Sequence, residues 1–270
     1  MPELPEVETA KRGITPFVLG QTVKQLIVRN HSLRWPILKN LPELVAHKKV
    51  VAIDRRSKYL MLSFSEGFLI IHLGMSGTLR VINANTPAAK HDHVDMILDS
   101  GKCLRYTDPR RFGCWLWSSQ PEVAKLLNKL GPEPLTDDFE LDRFINVCKQ
   151  RSAPIKNVIM DNSVVVGVGN IYAAESLFDA GIKPQKRSNK VSKKSLERLH
   201  GSIQRILAKA ISAGGTSLKD FTKTDGKPGY FRQELMVYGR ENENCYICQT
   251  PLKGKRIGQR ATVFCPNCQS

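Results

Sequence analysis

Between residues 22 and 117, apolar and polar positions alternate in short runs that predict β-strands. The runs are TVKQLIVRNH at 22–31, KVVAIDR at 49–55, KYLMLSF at 58–64, FLIIHLGM at 68–75, TLRVIN at 78–83, HVDMILDS at 93–100, KCLRYTD at 102–108 and FGCWLW at 112–117. Gly, Asp, Asn and Ser separate several of them, and so many short strands in succession predict an antiparallel sandwich or barrel. Ahead of the strands, PEVETAKRGITPFV sets Val7, Ala10 and Ile14 at near-helical spacing with Pro5 in the first turn, so one helix should pack against the sheet.

After GPEPLTDD at 131–138 the period lengthens, and 138–149, 154–161, 170–180 and 192–213 are helical in character. The stretch GGTSLKDFTKTDGKPGY at 214–230 is glycine-rich and should form a mobile loop. A cysteine-bearing module closes the chain. The expected organisation is an α+β protein of two domains: a β domain over 1–131, a hinge at 132–137, a helical domain over 138–240 and the module at 241–270.

Charge narrows the choice of partner. Lys and Arg number 41 against 25 Asp and Glu among 270 residues, giving a formal net charge of +16. Such a surplus favours a polyanion, with nucleic acid ahead of an anionic membrane. The basic run at 183–223 is by itself as consistent with a solvated helix face as with a binding surface. No apolar run approaches the roughly 18 residues needed to cross a bilayer, and the acidic N-terminus lacks the order of a secretion signal. A soluble, cytoplasmic protein is expected.

Cys245 and Cys248 form one C-x-x-C pair and Cys265 and Cys268 another, with sixteen residues between them. That spacing suits one tetrahedral Zn²⁺ held by two knuckles. Two disulfides fit a reducing compartment poorly. Cys103, Cys114 and Cys148 sit among apolar neighbours and are expected in the core.

The first eight residues, MPELPEVE, are acidic and punctuated by proline in a basic protein. They read either as a loose terminus or as a built site. If Met1 is removed, Pro2 becomes a secondary amine that titrates near 8 and is a competent nucleophile at neutral pH. Its attack on an aldehyde-level carbon gives a cationic iminium, with Glu3 and Glu6 at hand for proton transfer.

Taken together, MPELPEVET, IHLGMSG, DPRRFG, VGVGNIY and the two C-x-x-C pairs resemble the formamidopyrimidine-DNA glycosylase family, along essentially the whole chain. The resemblance implies an N-terminal helix with an antiparallel β-sandwich, a helical domain containing a helix–two-turn–helix element, and a four-cysteine zinc finger carrying a β-hairpin. It implies a bifunctional DNA glycosylase and abasic-site lyase acting on oxidised purines in double-stranded DNA, preferably opposite cytosine, and working as a monomer near the nucleoid. Pro2 matches the nucleophile, Glu3 the general acid/base and Glu6 a supporting carboxylate. Lys58 matches the lysine of phosphate contact and β-elimination, and Arg260 the hairpin arginine of δ-elimination.

Met75, Arg110 and Phe112 match the trio that fills the gap left by an extruded nucleotide, offsetting part of a cost of a few kcal/mol. Arg111 and His91 match DNA-binding positions. Arg151, Lys156 and Asn170 do so in the helical domain, where Asn170 could also be an N-cap. Tyr172 and Glu175 match the base pocket or its support, and Thr216 and Lys219 the loop that closes over the base. Two departures stand out: Gln249 follows the first cysteine pair where glycine is frequent, and Arg151 occupies a position where lysine also occurs. Two alternatives share these features: an endonuclease VIII-like glycosylase for oxidised pyrimidines, and a catalytically silent zinc-containing DNA-binding protein.

Overall fold

The computed structural model describes residues 2–215 and 234–270, and the chain forms two compact units. The first comprises residues 1–128 with 213–232; the second comprises 129–212 with 233–270.

In the first unit, helix α1 (Leu4–Val18) buries Val7, Ala10, Ile14 and Val18, one stripe at helical spacing. Eight strands follow: β1 (Val23–Val28), β2 (Ala52–Arg56), β3 (Tyr59–Phe64), β4 (Gly67–His72), β5 (Thr78–Asn83), β6 (Asp92–Leu98), β7 (Lys102–Thr107) and β8 (Cys114–Trp117). They make two antiparallel four-stranded sheets, ordered β1-β6-β7-β5 and β2-β3-β4-β8. The alternation in β3 puts Leu60, Leu62 and Phe64 into a core shared with α1 and with Met96, Leu104 and Trp115 of the other strands. Helix α1 touches β2 and β3 of one sheet and β5 and β7 of the other, so it packs across both.

Two short helices of this unit carry too little pattern to stand out in the sequence. Helix α2 (Leu41–Val45) packs on β1, and α3 (Pro121–Asn128) follows β8. Val123, Leu126 and Leu127 of α3 cover Ile70, Cys114 and Leu116 on the outer face of the second sheet. This explains why β4 reads as a nearly continuous apolar run: both of its faces are covered.

The second unit contains α4 (Leu141–Lys149), α5 (Ile155–Ile159), α6 (Asn170–Asp179), a 3-10 turn at Ser188–Lys190 and α7 (Lys193–Ser212). Helix α7 packs against α6 and α4. A hairpin of β9 (Lys253–Ile257) and β10 (Arg260–Phe264) packs on α6. Ala174 and Phe178 of α6 share a small core with Val237, Leu252, Val263, Cys245 and Cys265.

Candidate active site

The N-terminus is built into the fold. Glu3 caps α1 in a reciprocal box: its side chain receives the backbone N–H of Glu6, and its own N–H donates to Glu6 Oε2 at 2.8 Å. Pro2, Glu3 and Glu6 are all buried. Two carboxylates therefore stand at the positive end of the helix, beside the amine that removal of Met1 would expose. Gly215, with φ +79°, packs so closely that a Cβ there would stand 3.2 Å from Glu6 Oε1.

Glu8, two residues beyond Glu6 on α1, receives Arg55 Nε at 3.1 Å, and Arg55 Nη1 donates to the Ser57 carbonyl at 2.9 Å. The β2–β3 turn is thereby tied to the helix. Ser57 adopts φ +56° in that turn, and Lys58 follows it with a largely buried side chain.

Two further turns carry the predicted wedge residues. Phe112 is 43% exposed and Arg110 is also at the surface, with its guanidinium 4.8 Å from the Phe112 ring centroid. Met75 is half-buried, and Arg111 is exposed with φ +56°. Gly74, at φ +65°, lies against the backbone of Phe112 and Gly113 so tightly that any Cβ would clash. His72 Nδ1 accepts the Gly74 N–H at 3.0 Å. Burial, then the charges of Lys58 and Arg34, pushes the His72 pKa down to about 4 against the opposing pull of Asp108. The ring is therefore neutral, with its proton on Nε2. His91 is half-buried, with its ring edge-on to that of His93.

In the second unit, Lys156 is fully buried, and its Nζ donates to Asn170 Oδ1 and Thr262 Oγ1, both at 2.6 Å. Asn170 Nδ2 donates to the Ala261 carbonyl at 3.0 Å. Asn170 is thus the first residue of α6, not its cap, which is Gly169 without a side-chain bond. Arg260 opens β10 and is exposed. Arg151 Nη1 donates to Asp161 Oδ2 at 2.5 Å. Tyr172 is fully buried. The Glu175 carboxylate accepts the backbone N–H groups of Met236, Val237 and Tyr238 at 2.8–3.0 Å. Its burial outweighs those three bonds and raises its pKa above the usual range.

The Sγ atoms of Cys245, Cys248, Cys265 and Cys268 all lie within 4.8 Å of one another. Two of the separations are 4.0 Å, Cys245 to Cys268, and 3.4 Å, Cys248 to Cys265. Tetrahedral zinc with Zn–S bonds near 2.3 Å requires sulfurs about 3.8 Å apart, so the four thiols fit the ion.

Residues 1–115 match the family model for the formamidopyrimidine-DNA glycosylase N-terminal domain, and residues 130–222 match that for the formamidopyrimidine-DNA glycosylase H2TH domain. The formamidopyrimidine-DNA glycosylases of Stutzerimonas stutzeri (strain A1501) and Pseudomonas aeruginosa (strain LESB58) are 54% and 55% identical over 269 residues, covering 100% of both chains in each case. The chain belongs to the formamidopyrimidine-DNA glycosylase family. Members of this family are DNA glycosylases that also cleave at abasic sites.

Solved structures agree. A Lactococcus lactis Fpg variant in complex with DNA containing Fapy-dG matches with a TM-score of 0.92 at 34% identity, covering 100% of both chains. The MutM (Fpg) protein of Thermus thermophilus matches with a TM-score of 0.89 at 34% identity, covering 99% of this chain and 98% of that one.

Against the family pattern, Gln249 takes φ +59°, the left-handed region where glycine is unstrained, and its N–H still donates to the Cys245 carbonyl at 2.9 Å. The knuckle turn is preserved. Thr216 and Lys219, with the rest of their loop from 216 to 230, lie outside the described residues. Among the described residues no helix is long and apolar enough to cross a membrane.

Proposed function

We propose that this glycosylase removes 8-oxoguanine and formamidopyrimidines from double-stranded DNA through an iminium formed on Pro2, and then cuts the strand by β,δ-elimination. The observation that carries this reading is the buried capping box, in which Glu3 and Glu6 flank the start of α1 directly after Pro2. A loose tail would have no use for it.

With Met1 removed, the Pro2 nitrogen bonds to the sugar C1′ and the glycosidic bond to the damaged base breaks. Glu3 exchanges the protons that base loss and opening of the deoxyribose ring require, and Glu6 keeps Glu3 in register. The ring-opened iminium is an electron sink. Loss of a proton from C2′, assisted by Lys58, expels the 3′ phosphate. A second elimination, assigned to Arg260, expels the 5′ phosphate and leaves a one-nucleotide gap.

Met75, Arg110 and Phe112 fill the space left by the extruded nucleotide, and Arg110 pairs with the orphaned cytosine. His91, Arg111, Arg151 and Asn170 hold phosphates, with the buried Lys156 ammonium adding its charge behind Asn170. Tyr172 and Glu175 support the base pocket, Glu175 through the 236–238 backbone it binds. Zn²⁺ on Cys245, Cys248, Cys265 and Cys268 has a structural role, because four thiolates leave no position for a reacting water. The catalytic domain spans 1–131 with a hinge at 132–137, and the enzyme acts as a monomer in the cytoplasm at the nucleoid.

Borohydride trapping on a duplex with 8-oxoguanine opposite cytosine tests this. A covalent band mapped to Pro2, and absent from protein that retains Met1, is the expected result. A band on Lys58, or none despite tight binding, overturns it.

A further inference from the structure

The carboxylate of Asp108 is fully buried and accepts four hydrogen bonds, three from two different turns and one from β7. On one oxygen, Oδ1, it receives the Ser76 hydroxyl at 2.8 Å and the Arg110 N–H at 3.2 Å. On the other it receives the Tyr106 hydroxyl and the Gly113 N–H, both at 2.9 Å. Ser76 Oγ accepts the same Arg110 N–H at 3.3 Å, which closes the bracket between the turns. The Asp108 backbone is fixed as well: its carbonyl pairs with His93 Nε2 at 2.8 Å, and its N–H donates to the His91 carbonyl at 3.0 Å.

These bonds surround the residues assigned to filling the helix gap. Met75 has Gly74 on one side, held by His72, and Ser76 on the other, held by Asp108. Arg110 and Phe112 lie within the loop whose ends, at Asp108 and Gly113, meet on the same carboxylate. Gly113 has no room for a Cβ beside the Tyr106 hydroxyl, as Gly74 has none beside Phe112. The two turns are therefore cross-braced into one body, with Arg110 and Phe112 exposed and Met75 half-buried.

We propose that Asp108 is a positioning residue for nucleotide extrusion: by bracing the Met75 turn to the Arg110–Phe112 turn, it presents the three side chains as a single preformed wedge. This rests on the wedge role given to those residues above. A wedge assembled in advance loses little side-chain and loop freedom when it enters the base stack, so more of its contact energy goes into opening the duplex. Asp108 itself touches neither the sugar nor the base. Its effect should fall on opening the paired helix and spare the chemistry on a nucleotide that needs no extrusion.

The test compares two substrates for each enzyme: 8-oxoguanine paired with cytosine in a duplex, and an abasic site in single-stranded DNA. Asp108→Asn keeps the shape but turns an N–H₂ group toward two of the four donors. Ser76→Ala removes one arm and leaves the carboxylate with its other partners, so it reports even if D108N folds poorly. The expected result is a fall of about tenfold or more in the ratio of duplex excision to single-strand cleavage for D108N, with a smaller fall for S76A. A 2-aminopurine beside the lesion should brighten more slowly in both variants. Equal losses on both substrates by folded variants, or no change on either, would overturn the proposal. Failure of the unmodified enzyme on both substrates would instead remove the glycosylase reading on which it stands.

Discussion

The Lys156 ammonium sits 2.6 Å from the side-chain carbonyl of Asn170, so α5 and the first turn of α6 share one buried cation against β10 of the hairpin. Changing Asn170 to Asp places a carboxylate against that ammonium and at a helix N-terminus, both favourable to the folded protein. The same change cancels positive charge at the proposed phosphate contact. These gains in stability are set against loss of the Nδ2 donation to the Ala261 carbonyl, so N170D should melt close to the unmodified protein while weakening binding to duplex DNA. The magnitude of the slope of log K against log salt should fall by about one. Affinity measured across a salt series checks this, and unchanged binding would remove Asn170 and Lys156 from the interface.

Glu3 has two separable duties. Its side chain receives the Glu6 N–H as a helix cap, and in the proposed reaction it exchanges protons with the substrate. Glutamine retains an oxygen that can cap but not the acid–base function. E3Q should melt within a few degrees of the unmodified protein and lose excision of 8-oxoguanine by roughly 100-fold or more. E6A should show the opposite emphasis on stability: the Glu3 N–H loses its acceptor, at about 1 kcal/mol, alongside any loss of activity. Melting curves and single-turnover excision rates on the two variants distinguish the roles.

Two pH windows should appear in the stability of the first unit, and tryptophan fluorescence reads that unit alone because Trp35, Trp115 and Trp117 all lie in it. His72 is held neutral with its pKa lowered to about 4. Between its ordinary value near 6.5 and that value, the unfolded chain binds the proton and the folded one does not, so stability falls as the pH drops, by up to about 3 kcal/mol.

Asp92 and Asp95 act lower down. Burial opposes their charge, but Thr107 and Ala89 on Asp92, and Arg105 and Arg29 on Asp95, win and hold both below the usual range. Their contribution is present above the ordinary carboxylate pKa and disappears as the pH falls through the depressed one. Denaturant midpoints for H72Q should lose the upper window and keep the lower. A curve with the same upper window in H72Q would show that another group titrates there.

Much of this arrangement was legible in the sequence because strands and knuckles write themselves locally. Residues within a strand or a C-x-x-C pair depend on near neighbours, and the eight strands, α1, the four longer helical segments and the cysteine quartet all emerged from spacing. Asp108, His72 and the backbone-binding role of Glu175 did not. Asp108 gathers donors from residues 76, 106, 110 and 113, and Glu175 from 236–238; no local pattern records such pairings. Arg105 likewise reads as an ordinary strand residue until its guanidinium is found buried on Asp95 and Asp92. The left-handed Gln249 shows the converse, where a position that usually signals its conformation by glycine is filled by a residue that does not.

The seven cysteines divide into two chemical populations, and removal of the metal should separate them. Burial pushes the thiol pKa of Cys103 and Cys114 up to about 12 and that of Cys148 up to about 11, so these three are poor nucleophiles in the folded protein. In the quartet, hydrogen bonds from Thr250, then Asn267, bring Cys248 down to about 5, while burial above all pushes Cys265 and Cys268 up, so it is loss of the ion and of the packing around it that would free these four. A strong chelator should release one equivalent of zinc and make four thiols reactive toward a disulfide reagent, while the other three react only after denaturation. Because Cys245 and Cys265 share a core with Leu252 and Val263 beneath the hairpin, loss of the ion should also loosen β9 and β10 and, with them, the Arg260 position. Strand cleavage at an abasic site should then fall together with DNA affinity, while the tryptophan-detected stability of the first unit stays constant. Seven reactive thiols after chelation, or fewer than four, would show that the metal is not held by this quartet alone.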